Sequence, residues 1–132
     1  MKPGVLSILA GAMSAALMSA AAPAGAEDRQ TRRENRALIK PCKACHDFRR
    51  EKRKFGPHLV GVIGRPVASA PGYKYSGALT ALGGEWTEER LAAFLNDPQA
   101  YATGTNMKFP GFKDEAKAER AAAYITQLTT RK

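Results

Sequence analysis

The chain has 132 residues, 44% of them hydrophobic, with 21 Lys and Arg against 12 Asp and Glu and a formal net charge of +9. This length holds one domain of ordinary size, and the absence of internal repeats excludes a solenoid or array. The positive balance favours fast encounter with acidic surfaces.

Met1-Lys2 supplies one positive charge, Val5 to Ala22 is an apolar, alanine-rich run, and Pro23-Ala24-Gly25-Ala26 offers a small-residue cleavage site before Glu27. This is the order of a secretory signal peptide. Residues 1–26 are therefore expected to be a cleaved leader and residues 27–132 the mature domain, 106 residues with a charge of +8. The alternative is an uncleaved anchor, for which the run is long enough, but its Ala, Ser and Gly content fits cleavage better. Export points to the periplasm and argues against a nucleic-acid partner.

Asp28 to Lys40 is polar and strongly basic, with Ala37, Leu38 and Ile39 as its apolar cluster. It reads as a helix ending near Pro41, since the residue before a proline resists helical geometry. Cys42-Lys43-Ala44-Cys45-His46 follows. Two thiols three residues apart with a histidine directly after them form the pattern of covalent haem attachment, in which both sulfurs add to the porphyrin vinyls and the imidazole becomes a proximal iron ligand. Haem attachment of this kind takes place after export, which agrees with the leader. A redox Cys-x-x-Cys would want a thioredoxin-like βαβ setting, which does not follow. Zinc could be drawn from Cys42, Cys45, His46 and His58, but structural zinc usually has a second ligand pair on its own turn. A plain disulfide is the remaining alternative in an exported protein.

From Asp47 to Gly84 glycine and proline are frequent, so this is loop, with a short helix around Ala78 to Leu82. A loop-rich stretch this long in a compact domain suggests that it wraps something. Thr87 to Asn96 reads as a helix, with Thr87 as N-cap, Glu88 and Glu89 at the positive end of the dipole, Asp97-Pro98 as the stop, and Leu91, Phe94 and Leu95 on one face. Asp114 to Thr130 reads as the last helix, capped by Asp114, with Ala121, Tyr124, Ile125 and Leu128 as its stripe. No convincing strand pairs appear.

A haem iron used for fast electron transfer needs a sixth ligand. Without Met1, Met13 and Met18 of the leader, one methionine remains, Met107, in Gly104-Thr105-Asn106-Met107-Lys108-Phe109-Pro110-Gly111. A methionine between glycines and lysine, on no amphipathic stripe, is a better ligand candidate than a core gap-filler. His58 competes, but it lies only twelve residues after His46 and would stay on the same side of the iron.

The segments CKACH, FGPHLVGVIGR, GYKYSGAL, WTEERLAAFLNDP, GTNMKFPG and AAYITQL, spread over Asp28 to Leu128, resemble soluble bacterial class I cytochrome c, close in type to the mitochondrial carrier. The resemblance implies an all-α fold in which the N- and C-terminal helices cross, with Leu38 meeting Tyr124 and Ile125, and shorter helices and loops wrap one haem. It implies one haem c, covalent through Cys42 and Cys45, with His46 and Met107 as iron ligands. The Pro57 carbonyl would accept from the His46 ring. Arg65, Tyr75 and Trp86 would surround a buried propionate, which needs donors or a paired charge, and Thr105 would join the cofactor-binding set. The implied function is one-electron shuttling in the periplasm, with no substrate turned over by the chain. The alternatives are a dedicated subunit of a periplasmic dehydrogenase or a haem enzyme or gas sensor with an open iron site.

Arg49-Arg50-Glu51-Lys52-Arg53-Lys54, with Lys40, Lys43, Lys108 and Lys113 near the ligand segments, would form the basic face that meets acidic partners: a cytochrome bc-type complex, an oxidase, a reaction centre or a dehydrogenase. Anionic membrane would be at most a weak contact, and the chain is expected to be monomeric. Arg29, Arg32, Arg33 and Arg36 extend this face or solubilise the first helix.

The chain departs from the family in three places. Glu34 and Leu38 stand where a glycine and an aromatic usually mark the helix crossing. Phe94 replaces a tyrosine near the methionine sulfur, and Leu79 replaces a polar residue near an internal water. The last two changes dry the haem pocket. Phe94→Tyr or Leu79→Asn should therefore shift the reduction potential, because pocket polarity changes the cost of the extra ferric charge; spectroelectrochemical titrations in which both variants match the parent would refute this.

Overall fold

The computed structural model describes residues 24–130, with side chains from residue 28 onward. The expected leader lies outside the described residues except for residues 24–26, whose backbone opens the first helix. Six helices follow in order: α1 Ala24–Leu38, α2 Lys40–Cys45, α3 Gly77–Leu82, α4 Glu88–Asn96, α5 Pro98–Tyr101 and α6 Glu115–Thr129. Among the described residues there is no strand, only an isolated antiparallel bridge between Pro66 and Glu85. None of the described helices is long and apolar enough to cross a membrane.

The core is built on α4 and α6, the most extensively packed pair, with α1 crossing α6. Ala118, Ala121, Ala122 and Ile125 of α6 are buried, as are Leu91, Ala92, Phe94 and Leu95 of α4. Three alanines on one helical face let the axes approach closely, and the larger α4 side chains fill the groove. Leu38, Tyr124 and Leu128 are half-buried and pack against the same core. Glu34 bridges α1 and α6 at the solvent-facing rim of their contact. It is exposed, and Arg120 pairs with it at 3.2 Å while donating to Asn35 Oδ1 at 3.1 Å.

Helix starts follow side-chain chemistry. The side chains of Ser76, Thr87, Asp97 and Asp114 each accept a backbone N–H from the first turn of α3, α4, α5 and α6, satisfying donors that have no partner within the helix. Helix α4 ends at Asn96 before Asp97-Pro98, as read from the sequence, but two prolines do more than mark a stop. Pro41 does not simply follow α1; α1 ends at Leu38 and Pro41 sits in the first turn of α2. Pro98 likewise opens α5 after α4 has ended. In both places the missing N–H falls where no intrahelical partner exists.

The long loop is tied to the end of α6 and to the segment between α3 and α4 through its backbone. Gly61 N–H donates to Thr129 O at 2.8 Å, Gly64 N–H to Trp86 O at 2.7 Å, Trp86 N–H to Arg65 O at 3.0 Å and Val67 N–H to Gly84 O at 2.8 Å. Beyond α5, Phe112 N–H donates to Leu95 O at 3.0 Å and Lys113 N–H to Asn96 O at 3.1 Å. Gly111 has φ +98°, and an added Cβ would lie 2.3 Å from Asn96 O, so the chain passes α4 closely enough to require glycine.

The caps predict an acid response. The Lys113 ammonium, then the Ala100 N–H, hold the Asp97 carboxyl below its usual value; the Lys117 N–H and then its ammonium do the same for Asp114. A depressed carboxylate stabilises fully above its unfolded pKa of about 3.9 and loses that contribution as pH falls through the lower folded value. Asp97→Asn with Asp114→Asn keeps a capping oxygen but removes the titrating charge. Below about pH 4, the unfolding temperature followed by circular dichroism should fall less steeply in the double variant than in the parent.

Candidate functional site

The Cys-x-x-Cys-His motif lies on α2 and its end. One helical turn separates Cys42 from Cys45, so the two share a side of the helix. Cys42 is buried and Cys45 exposed, and both thiols are free. Burial pushes the Cys42 thiol up to about 11. His46 caps the helix with an extended backbone, φ −123° and ψ 142°, and its N–H donates to Cys42 O at 2.9 Å.

The His46 ring is fixed from the next loop. Its Nδ1 lies 2.7 Å from Pro57 O. A carbonyl only accepts, so Nδ1 carries the proton and Nε2 keeps a free lone pair. Burial lowers the pKa of the imidazole, opposed by the Pro57 contact and assisted by the Lys54 charge, which favours the neutral, ligating form. Gly56 backs the ring: a Cβ there would sit 2.5 Å from His46 Cε1 and 2.8 Å from Nδ1. Gly56 N–H donates to Cys45 O at 2.8 Å, closing the loop onto the helix that carries both thiols.

A second cluster surrounds Arg65. Its Nη2 donates to His58 O at 2.9 Å, and its Nη1 to Val60 O at 3.1 Å and to His58 Nδ1 at 3.3 Å. Arg65 Nε is buried with no hydrogen-bond partner. Tyr75 OH accepts from Ala70 N–H at 3.0 Å and its ring meets Tyr73 edge-on at 4.8 Å. Burial raises the Tyr75 pKa, with the Arg65 charge opposing it, so the two side chains feel each other. Trp86 is buried and joined to Arg65 through the backbone, and its ring lies 5.4 Å from Phe94. His58, the competing ligand in the sequence, is 6% exposed and its Nδ1 is taken up by Arg65.

The Met107 segment is a closed loop after α5. Thr105 is buried; its N–H donates to Ala102 O at 2.9 Å, its hydroxyl accepts from Met107 N–H at 3.4 Å, and its carbonyl accepts from Gln99 Nε2 at 3.0 Å. Met107 is half-buried against the core. Phe109 and Phe112 stack edge-on at 5.0 Å on its far side in sequence.

These residues fit a covalently held haem. Two free thiols on one side of α2, a neutral imidazole with an open Nε2, and a buried guanidinium Nε without an acceptor together match the needs of vinyl addition, iron ligation and a desolvated carboxylate. The zinc alternative finds no support: the described residues contain no cluster of three or more His, Cys, Asp or Glu able to hold a metal. Sequence reasoning missed the close approach of Gly56 to His46 and the bond from Arg65 to His58. The Gly-Pro pair just before His58 was a signal for the first. The second depends on how the loop folds back and left no local sign.

No family model matches the chain. It is 51% identical over 96 residues to "Cytochrome c homolog" of Rickettsia bellii, covering 72% of this chain and 54% of that protein. It is 38% identical over 113 residues to "Cytochrome c2" of Blastochloris viridis, covering 85% of this chain and 87% of that one. The chain spans about half the length of the rickettsial relatives. Among solved structures, cytochrome cH from Methylobacterium extorquens matches with TM-score 0.64 and 39% identity, covering 70% of this chain and 94% of that chain.

The contact of Gly56 with the imidazole gives a direct test. Gly56→Ala should push the ring off Pro57 O, and outer-shell losses of this type cost about 10- to 100-fold in metal affinity. The yield of low-spin haem protein, read from its reduced absorption spectrum after matched expression, should fall by about tenfold or more.

Proposed function

Because the chain belongs to the class I c-type cytochromes, whose work is electron transfer with a covalent haem c, we propose that it is a periplasmic one-electron carrier with iron held between His46 and Met107. Haem c, when bound, supplies the one-electron ferric/ferrous couple. Cys42 and Cys45 would fix it to α2. The observation that carries the reading is the bond from His46 Nδ1 to Pro57 O, which sets the tautomer and strengthens Nε2 as a ligand. Met107 supports the second ligand through its half-buried position in a loop fastened by Thr105 and Gln99. A sulfur ligand would raise the potential and leave no vacant position for a substrate.

The chain's other residues have supporting roles. Arg65 would offer Nε to a propionate, with Tyr75 and Trp86 beside it. Phe94, packed between Trp86 and Tyr101 at 5.4 and 6.0 Å, helps to exclude water, so that little solvent must reorganise when charge changes. Cleavage of the leader after Ala26 would release the domain to the periplasm. The exposed cations after His46 would steer it to acidic faces of a bc-type complex, an oxidase, a reaction centre or a dehydrogenase.

The test is the absorption spectrum of the haem-loaded protein, oxidised and then reduced, with carbon monoxide added to the reduced form. A low-spin c-type spectrum untouched by carbon monoxide is expected; rapid binding at neutral pH would move the protein to an open-site enzyme or sensor. Met107→Ala should convert the first behaviour into the second and lower the potential.

A further inference from the structure

Phe55 is 86% exposed and is the one exposed large hydrophobic side chain among the described residues. A single apolar side chain at the surface is ordinary. This one, however, ends the run Arg49-Arg50-Glu51-Lys52-Arg53-Lys54, whose five cations are all exposed. The ion pairs found among the described residues use none of the five.

The loop is held in place rather than merely tethered. Asp47 Oδ1 accepts from the N–H groups of Arg49 and Arg50, both at 2.9 Å. Arg53 Nη1 donates to Gly72 O at 3.4 Å, and Lys54 Nζ donates to Lys43 O at 2.5 Å. Lys54 N–H donates to Gly56 O at 3.1 Å, and Gly56 N–H to Cys45 O at 2.8 Å. Phe55 thus stands between two residues fastened to α2 and its neighbourhood, one of which backs the His46 ring. A surface seated on Phe55 comes directly beside the proposed iron ligand.

Resting on the carrier reading, we propose that Phe55 is the apolar anchor of redox docking, and that the partner protein receives it in an apolar depression rimmed by carboxylates. The two parts of the patch do different work. Cations steer encounter, but exposed pairs contribute little once formed and are screened beyond about 8 Å at physiological salt. An aromatic side chain in a desolvated pocket holds the complex while the electron crosses. An anionic bilayer also offers charge and an apolar layer, but it accepts no electron, and the position beside His46 favours a redox protein.

The test uses the haem-loaded protein, Phe55→Ser and Phe55→Trp. The probes are the detergent-solubilised cytochrome bc-type complex and terminal oxidase of the host, each over a salt series, with hexaammineruthenium as a small-molecule reductant. Phe55→Ser should lower kcat/KM about tenfold with at least one complex, mainly through KM, at low and high salt alike, the loss expected from about 1.4 kcal/mol of binding. Phe55→Trp should retain the parent rates, and the potential and the ruthenium rate should be unchanged in both. Parent-like kinetics of Phe55→Ser at every salt would overturn the proposal. So would a matching loss with ruthenium or a shifted potential, which would place Phe55 in support of the haem site. Loss of binding to phosphatidylglycerol vesicles with both complexes unaffected would make the patch a lipid contact instead. A haem-loaded parent that exchanges electrons with neither complex, nor with a reaction centre or periplasmic dehydrogenase of the host, would overturn the carrier reading and the anchor with it, whereas failure confined to the variant comparison leaves the carrier reading standing.

Discussion

The bond from the His46 ring to the Pro57 carbonyl organises this molecule. At 2.7 Å in a half-buried site it selects one tautomer, and burial keeps the ring neutral. It joins the returning segment 47–57 to the end of α2, and two backbone bonds close the same return: Leu59 N–H meets Asp47 O and Gly56 N–H meets Cys45 O, both at 2.8 Å. A side chain at Gly56 would occupy the space of the imidazole. The orientation of one nitrogen therefore depends on a glycine, a proline carbonyl and the end of a six-residue helix acting together.

Both proposed ligand segments hang from one scaffold. The α4–α6 pair, closed by alanines on α6, supplies rigidity that the loops lack. Thr129 at the end of α6 receives the 58–65 loop through Gly61, while Leu95 and Asn96 at the end of α4 receive the segment after Met107 through Phe112 and Lys113. Side chains are positioned more tightly when short spans connect them to packed helices than when a loop must order itself. The carrier reading asks for this arrangement, since a metal site that changes charge without changing shape reorganises little.

Charge is sorted by depth. The depressed carboxylates of Asp97 and Asp114 cap helices at the surface. The cationic run after His46 stays in solvent, where steering needs it. Arg65, half-buried, carries a lowered pKa from desolvation and uses Nη1 and Nη2 on His58 and Val60 while its buried Nε stays unpaired. Burying a cation with one donor open is costly, and an anionic propionate would offset that cost.

Local sequence signals determined much of this protein. Spacing placed the thiols and histidine on one short element, and capping residues marked the starts of α4 and α6; Met107 stands alone as a candidate sulfur ligand once the expected leader is set aside. These are properties of neighbouring residues, and neighbours interact whatever the rest of the chain does. The roles of Pro41 and Pro98 were harder to read, because a proline is compatible both with the end of one helix and the first turn of the next. Only the tertiary structure decided that Glu34 pairs with Arg120 across α1 and α6, that His58 serves Arg65, and that Gly56 backs His46. Each joins residues through a loop whose return path is set by long-range packing, and no periodicity in the chain encodes such a path.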